Sequence, residues 1–516
     1  MRYRITLKNY RCFTDEKPCR FDLGDGFVAL VGVNNSGKSS LLRFFYEFRP
    51  VMASAWDSDL AARLAQDESS FSGPNVHSHS DVFTRSNNRD LTISVEFEGP
   101  PGILEGESDA VNLVLKTVLA RSGPGQITLT VNGVPYDRTW DRKPLNFDQL
   151  RKLLRPLYNS LYVGSFRNAI NVGGNESYFD IAVGQGFVEK WRSLKTGQDW
   201  QSNEATFTLT DSIKRIFGFD SLEINASQDG KTLQVFVDGR SYRLAELGSG
   251  LAQFIIVLAN AALVQPDIIF IDEPEINLHP SLQLDFLTIL GAYASRGVMF
   301  ATHSIGLARA SADRIYGMRM VGDASIVAAY ESLPRLAEFV GELSFSGYQQ
   351  LGFSRILLVE GPTEVKTVQQ LLRVFGKDHE VVLLPLGGSS LIRDGVESEL
   401  IEVMRITGNV SALIDSERSA ETDSLPMERR QFLAICSRLG IDCHVMERRA
   451  IENYFSQAAI QRIKGSKYDA LGPFDALSAL EPGWSKQENW RIAREMTVAD
   501  LAETDLGRFI EGLEVG

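Results

Sequence analysis

Residues 26–45 read GFVALVGVNNSGKSSLLRFF: an apolar run, a loop bounded by Gly32 and Gly37, and an amphipathic segment. From Gly32 to Ser39 every fixed position of the pattern GxxxxGK[ST] is filled. This spacing lets successive backbone N–H groups of Asn34, Asn35, Ser36 and Gly37 wrap around phosphates at a helix N-terminus, whose dipole favours anions. Lys38 then reaches the β and γ phosphates, Ser39 offers a hydroxyl to Mg2+, and Ser40 sits beside it in the same nucleotide-binding turn. The strand before and the helix after are the context the motif requires. An α/β sheet binding ATP with Mg2+ is the first expectation.

Two further apolar runs supply its chemistry. Residues 266–275, PDIIFIDEPE, end in the paired carboxylates Asp272 and Glu273. Asp272 is placed to hold the Mg2+ shell, and Glu273, one residue on, to polarise the attacking water. Residues 297–304, GVMFATHS, put His303 where an imidazole reaches a γ-phosphate. Alone, an acidic turn or a single histidine has an ordinary structural explanation. Here the order decides, because LAELGSGLAQF (244–254) lies upstream as a Gly/Ser turn opening a helix and NLHP (277–280) follows.

This order of phosphate loop, LGSG, FIDEPE, NLHP and ATHS resembles the ABC-type ATPase heads of the structural-maintenance and recombination-repair group. The resemblance covers residues 1–320 in scattered blocks. It implies that Ser249 and Gly250 close over nucleotide held by a partner chain, so that a homodimer or higher homo-oligomer forms through the heads around two ATPs. It departs in one respect. No glutamine loop is found between Pro50 and Val95, where Gln66 is the only glutamine.

At 516 residues the chain is too long for one ordinary core. Its 44% hydrophobic and 23% charged residues describe a soluble globular protein. The longest apolar run, residues 254–264, is interrupted by Asn260 and too short for a bilayer, and no membrane role is expected. The start, MRYRITLKNY, lacks the apolar stretch of a secretion signal. Four cysteines, Cys12, Cys19, Cys436 and Cys443, make neither a disulfide framework nor a CxxC pair, which suits a reducing cytoplasm. A net charge of −13 confines any polyanion contact to a local patch. Arg2, Arg4, Lys8, Arg11 and Arg20 are one candidate, against the plainer reading of an edge strand's wet face.

Within a head spanning residues 1–340, residues 51–90 are rich in Ser, Asp, Ala and Asn and read as a polar insertion rather than core. DLTISVEFEG (90–99) and GQITLTVNGVPY (125–136) alternate as strands of an antiparallel lobe. Residues 168–235 read as a helical insertion suited to dimerisation. No heptad run long enough for a coiled-coil arm occurs.

A second set of strands begins at RILLVEGPTE (355–364), after a connector expected to be helical at residues 332–353. EVVLLPLGG (380–388) and GNVSALIDSER (408–418) follow, and strands alternating with helices at this spacing imply a small parallel sheet. Glu360 and Asp415 end two of its strands, where functional groups gather, with Glu417 two residues on. With no cation nearby in sequence, converging carboxylates call for a divalent metal, Mg2+ or Mn2+, which would serve phosphodiester chemistry.

The pieces LLVEGPTE and LIDSE resemble a Toprim domain, here over residues 350–516, with Asp-x-Glu in place of the usual Asp-x-Asp. An ABC-type head joined to a C-terminal Toprim resembles the overcoming-lysogenization-defect (OLD) nucleases, including Gabija-like and retron-associated antiphage effectors. The resemblance implies Glu452, in MERRAIENYF, as a further metal ligand, and a lysine assisting phosphate chemistry. Lys486 is the first choice, with Lys464 and Lys467 as alternatives. The expected substrate is nucleic acid, DNA first and RNA or tRNA otherwise, with a defence-system partner protein or RNA. The contrasting expectation is a non-cleaving ATP-driven clamp or sensor whose Toprim-like block docks a partner.

Overall fold

The computed structural model describes residues 1–56, 60–66, 70, 72–137, 140, 144–165, 177–196, 200–329, 355–378, 381–386, 396–406 and 409–513. These form two compact units. The first comprises residues 1–303 and 314–330, and the second residues 304–313 and 331–516. The expected helical connector at 332–353 lies outside the described residues.

The first unit holds two large sheets. In one, the strand order is Ala324–Ala329, Arg314–Val321, Gly26–Val31, Gly297–Thr302, Ile268–Asp272 and Ser160–Val163. All neighbours pair in parallel except the first two. Ile268–Asp272 and Gly297–Thr302 are buried at every position. Central parallel strands are covered on both faces, so they run as unbroken apolar stretches. The phosphate-loop strand therefore lies inside the sheet, with the histidine-bearing strand next to it and the acid-bearing strand next again.

The other sheet is antiparallel throughout: Cys19–Gly24, Arg2–Lys8, Leu91–Gly99, Val111–Leu119, Gln126–Val131 and Val134–Pro135. Its strands alternate buried and wet residues, as a sheet with one solvated face should. The N-terminal basic residues belong to that pattern. Arg2 and Arg4 pair with Asp22, and Arg11 pairs with Glu47. The proposed N-terminal patch is thus largely neutralised by its own carboxylates.

Residues 51–90 need a correction. Their polar composition conceals two helices, Arg49–Trp56 and Leu60–Leu64. Val51, Met52, Ala55, Trp56, Leu60 and Leu64 all join the main hydrophobic core, and Trp56 donates its indole N–H to Thr117 Oγ1 at 2.9 Å. Each such buried side chain is worth roughly 1.5–3 kcal/mol, so this segment supports the head. Within the stretch expected to be a helical insertion, Gly184–Thr196 and Trp200–Phe217 are helices, followed by a three-stranded sheet of Leu222–Ala226, Leu233–Val237 and Arg240–Arg243.

The second unit contains a parallel sheet ordered Val381–Pro385, Arg355–Val359, Val410–Ile414 and Asp442–Val445. The helices Pro362–Val374 and Met427–Leu439 follow the Arg355–Val359 and Val410–Ile414 strands. The helix Ile305–Ser311 also belongs here, and the neighbouring Asp313 meets the fully buried Lys366 at 2.9 Å. All four cysteines are free thiols.

Candidate functional site

Two clusters of functional side chains stand out, one in each unit. In the first unit, the phosphate loop runs from the strand Gly26–Val31 into the helix Lys38–Glu47. Gly37 caps that helix with φ of 96°, a left-handed geometry that strains other residues. A side chain there would meet Cys12 Sγ at 2.8 Å. Asn34, Asn35 and Ser39 are exposed, while Ser36 and Lys38 are buried and Ser40 is half-buried. Lys38 Nζ donates to the carbonyls of Gly32 and Val33, at 2.7 and 3.0 Å. Burial lowers its proton affinity, against the pull of Asp272 and Glu273.

Asp272 ends its strand almost buried and accepts a hydrogen bond from the Ser39 hydroxyl. Burial raises its pKa above the ordinary carboxylate range. Asp272 Oδ1, Glu275 Oε2 and Ser36 Oγ are buried without a protein partner. Such atoms are costly unless a ligand satisfies them, and a hydroxyl beside a carboxylate at a phosphate loop is the oxygen set that suits Mg2+ with a nucleotide. These residues therefore fit Mg2+-ATP.

Glu273 has φ of 53°. A left-handed backbone at a non-glycine residue costs roughly 1–3 kcal/mol and is retained where function needs it. His303 Nε2 lies 3.3 Å from Glu273 Oε1. The His303 amide donates to Glu275 Oε1 at 2.9 Å, and Thr302 Oγ1 donates to the same oxygen at 2.7 Å. Ser249 is exposed at the start of the helix Ser249–Val264, preceded by Gly248 as its cap. Gly250 packs so closely on the carbonyl of Asn277 that a Cβ would stand 2.9 Å from it, which joins the LGSG and NLHP motifs. Gln66 is exposed just past the helix Leu60–Leu64.

In the second unit, the strands Arg355–Val359 and Val410–Ile414 pair in parallel and deliver Glu360 and Asp415 to one edge. The Asp415 amide donates to Glu360 Oε1 at 2.9 Å, and the Ile451 amide donates to Asp415 Oδ1 at 3.2 Å. Burial lifts Glu360 to about 7, although the Arg429 guanidinium opposes it. Burial, reinforced by Glu360 and Glu364, lifts Asp415 well above its usual range. Glu364 is also raised by burial.

Cations absent from the neighbouring sequence are brought to these acids by the fold. Arg429, on the helix Met427–Leu439, donates to both oxygens of Glu360, at 3.2 and 3.0 Å. Lys486 Nζ lies 3.1 Å from Glu452 Oε1 and 4.0 Å from Asp415 Oδ2. Burial works against the Lys486 charge, but Glu452 and Asp415 outweigh it and raise its pKa. Of the three lysines considered, Lys464 instead pairs with Glu488 at 2.7 Å, and Lys467 is exposed. Glu452 is buried and also accepts from Asn489 Nδ2 at 3.3 Å. Glu417 turns to Arg449, 3.2 Å away, on a backbone with φ of 55°.

Among the described residues, no group of three or more His, Cys, Asp or Glu side chains is arranged to hold a metal ion. The oxygen donors nevertheless match what Mg2+ and Mn2+ prefer, and burial is what raises the pKa values of Glu360, Glu364 and Asp415. Sequence reasoning missed Glu364, which sits in the first turn of the helix Pro362–Val374, four residues after Glu360. It also missed Asp505, which braces the segment carrying Glu452. Tyr454 donates to Asp505 Oδ1 at 2.7 Å, the Glu447 amide donates to Oδ2 at 2.8 Å, and His444 Nε2 lies 2.9 Å from Oδ2.

Residues 115–309 match the family described as "AAA domain, putative AbiEii toxin, Type IV TA system". The matched stretch holds the LGSG turn, Asp272, Glu273 and His303. Among solved structures, the SMC head domain from Thermotoga maritima is 17% identical, with a TM-score of 0.36, covering 64% of this chain and 100% of that one. The Smc head domain with an extended coiled coil bound to the C-terminal domain of ScpA, derived from Pyrococcus furiosus, is 14% identical, with a TM-score of 0.37 and coverage of 67% and 100%. No curated protein matches this sequence. By its motifs, its strand order and the AAA-domain match, the first unit is a P-loop ATPase module. Among the described residues no helix is long and apolar enough to cross a membrane.

Proposed function

We propose that this chain is an ATP-regulated, divalent-metal-dependent endonuclease of the OLD type, with a Toprim domain over residues 350–516, acting in antiphage defence. One observation carries the reading: at a single edge of a parallel sheet the Asp415 amide donates to Glu360, Lys486 lies within 4.0 Å of both Asp415 and Glu452, and Glu364 stands in the helical turn after Glu360. Four acids gathered beside two cations, Arg429 and Lys486, are costly for stability alone. Their use is chemistry on a polyanion.

Asp415, Glu360 and Glu452 would hold Mg2+ or Mn2+, which when bound there neutralises the scissile phosphate and lowers the pKa of its water. Arg429 keeps Glu360 oriented by its two hydrogen bonds. Lys486, released from Glu452 and Asp415, can turn its ammonium to a phosphate oxygen. In the ATPase module, Lys38 and Ser39 bind the phosphates and Mg2+, Glu273 accepts the proton of the attacking water, and His303 reads the γ-phosphate. Ser249 and Gly250 would complete the site of a partner chain in a homodimer. Nucleotide state can then control cutting only through differential binding of its two forms.

A second reading is favoured by one observation. Arg429 and Lys486 already neutralise the acids without metal, as a docking surface in a non-cleaving clamp would have them. The separating experiment is cleavage of plasmid DNA, RNA and tRNA in Mg2+ and in Mn2+, with and without ATP. The nuclease reading expects metal-dependent cutting that Glu360→Ala/Asp415→Ala abolishes while ATP hydrolysis continues. Wild-type nicking by that double variant would refute the site assignment, and silence on every substrate would favour the clamp.

A further inference from the structure

The parallel pairing of Ile268–Asp272 with Ser160–Val163 sets Ile271 opposite Val163. Two residues further along each chain stand Glu273 and Ser165. The Ser165 hydroxyl donates to Glu273 Oε2 at 2.7 Å, while His303 Nε2 lies 3.3 Å from Oε1. Both oxygens of the carboxylate are therefore held, one from the strand on each side.

The glutamate needs this support. Its amide is fixed to the Ala301 carbonyl at 2.9 Å, but its side chain has several rotatable bonds beyond that anchor, and a base one ångström out of place can lose about 100-fold in rate. Ser165 is itself seated from behind. Tyr178 donates its hydroxyl to the Ser165 carbonyl at 3.0 Å. At the preceding Gly164, a Cβ would stand 2.5 Å from the Phe179 ring, so only glycine lets that ring lie against the chain. Phe179 in turn packs on Tyr162 and Tyr46, with ring centroids 5.0 and 5.3 Å away.

We propose that Ser165 is a positioning residue for ATP hydrolysis, its hydroxyl aiming the Glu273 carboxylate at the attacking water. In that step the water oxygen bonds to the γ-phosphorus, the bond to the bridging oxygen breaks to give ADP and phosphate, and the water's proton passes to Glu273. The proposal rests on Glu273 being the base, and the Glu273→Gln variant tests that separately.

The experiment compares steady-state ATP hydrolysis and nucleotide affinity of the full chain as wild type, Ser165→Ala, Ser165→Thr and Glu273→Gln. For S165A, kcat should fall about 10- to 100-fold with KM for ATP essentially unchanged. S165T, which keeps the hydroxyl, should recover most of the rate. Should S165A fail to fold, Ser165→Cys, close in size and a weak donor, should show the same fall in kcat. Wild-type kcat in S165A, an equally slow S165T, or a loss matched by a rise in KM would overturn the proposal. Full hydrolysis by E273Q would instead overturn the assignment of the base.

Discussion

The two acidic clusters solve the cost of buried charge in opposite ways. At the phosphate loop, Asp272 Oδ1 and Glu275 Oε2 are buried without a protein partner. At the edge of the second sheet, Glu360 has Arg429, Glu452 has Lys486, and Glu417 has Arg449. The first arrangement is unfinished until a ligand arrives, while the second is complete in itself and yields to an incoming cation only when its own cations move. A site left open binds on encounter; a site closed by its own ion pairs binds a cation by exchanging them for it. That contrast suits a nucleotide site that turns over continuously and, on the nuclease reading proposed above, a cutting edge that exchanges its own cations for metal.

The sharpest way to break the contrast is Lys38→Ala. It should lower ATP hydrolysis by at least about 100-fold, as expected when the phosphate-binding charge is lost, yet leave the melting temperature and any Mn2+ binding at the second edge unaltered. A parallel loss of both would mean the two clusters are not separable.

Arg429→Leu tests the closed arrangement. Removing one partner of a buried pair costs about 3–5 kcal/mol, because Glu360 keeps its burial without its counter-ion. Chemical denaturation should show that loss in metal-free buffer. A negligible change would mean the pair is solvated and the edge not closed.

A smaller effect concerns Asp505. Burial opposes its charge, but hydrogen bonds from His444, Glu447 and Tyr454 hold it at about 2 against an ordinary 3.8. A carboxyl with a depressed native pKa stabilises the fold above its unfolded value and loses that contribution as pH falls through the native one. Asp505→Asn should therefore cost about 2 kcal/mol at pH 7, with the difference from wild type shrinking between about pH 4 and pH 2. A gap that stays constant over that range would assign the cost to packing.

The smallest effect is in subunit mixing. Lys38→Ala and Ser249→Arg chains, each inactive alone, should regain part of the ATPase on mixing, since a mixed dimer keeps one intact composite site. Strictly monomeric chains with full ATPase would contradict the shared site.

Much of this was legible in the sequence wherever one short segment carries both an element and its chemistry. The run 26–45 fixes strand, loop and helix together, and the apolar strands ending at Asp272 and Val359 announce where their acids emerge. The helices at Arg49–Trp56 and Leu60–Leu64 were not legible, because Ser and Asp around them dilute a helical pattern held by Trp56, Leu60 and Leu64. Arg429 and Ser165 were hidden for a different reason. Each meets its carboxylate only through tertiary folding, 69 and 108 residues away in the chain. Glu364 could have been found, since an acid in the first helical turn after Glu360 is brought back toward the same strand end.

The most direct test of the central claim is Mn2+ binding followed by electron paramagnetic resonance, without nucleotide, in the Lys38→Ala background with and without Asp415→Ala. The account predicts a bound Mn2+ signal that disappears when Asp415 is replaced. A signal of equal strength in both proteins, or none in either at millimolar metal, would contradict a metal-dependent cutting edge.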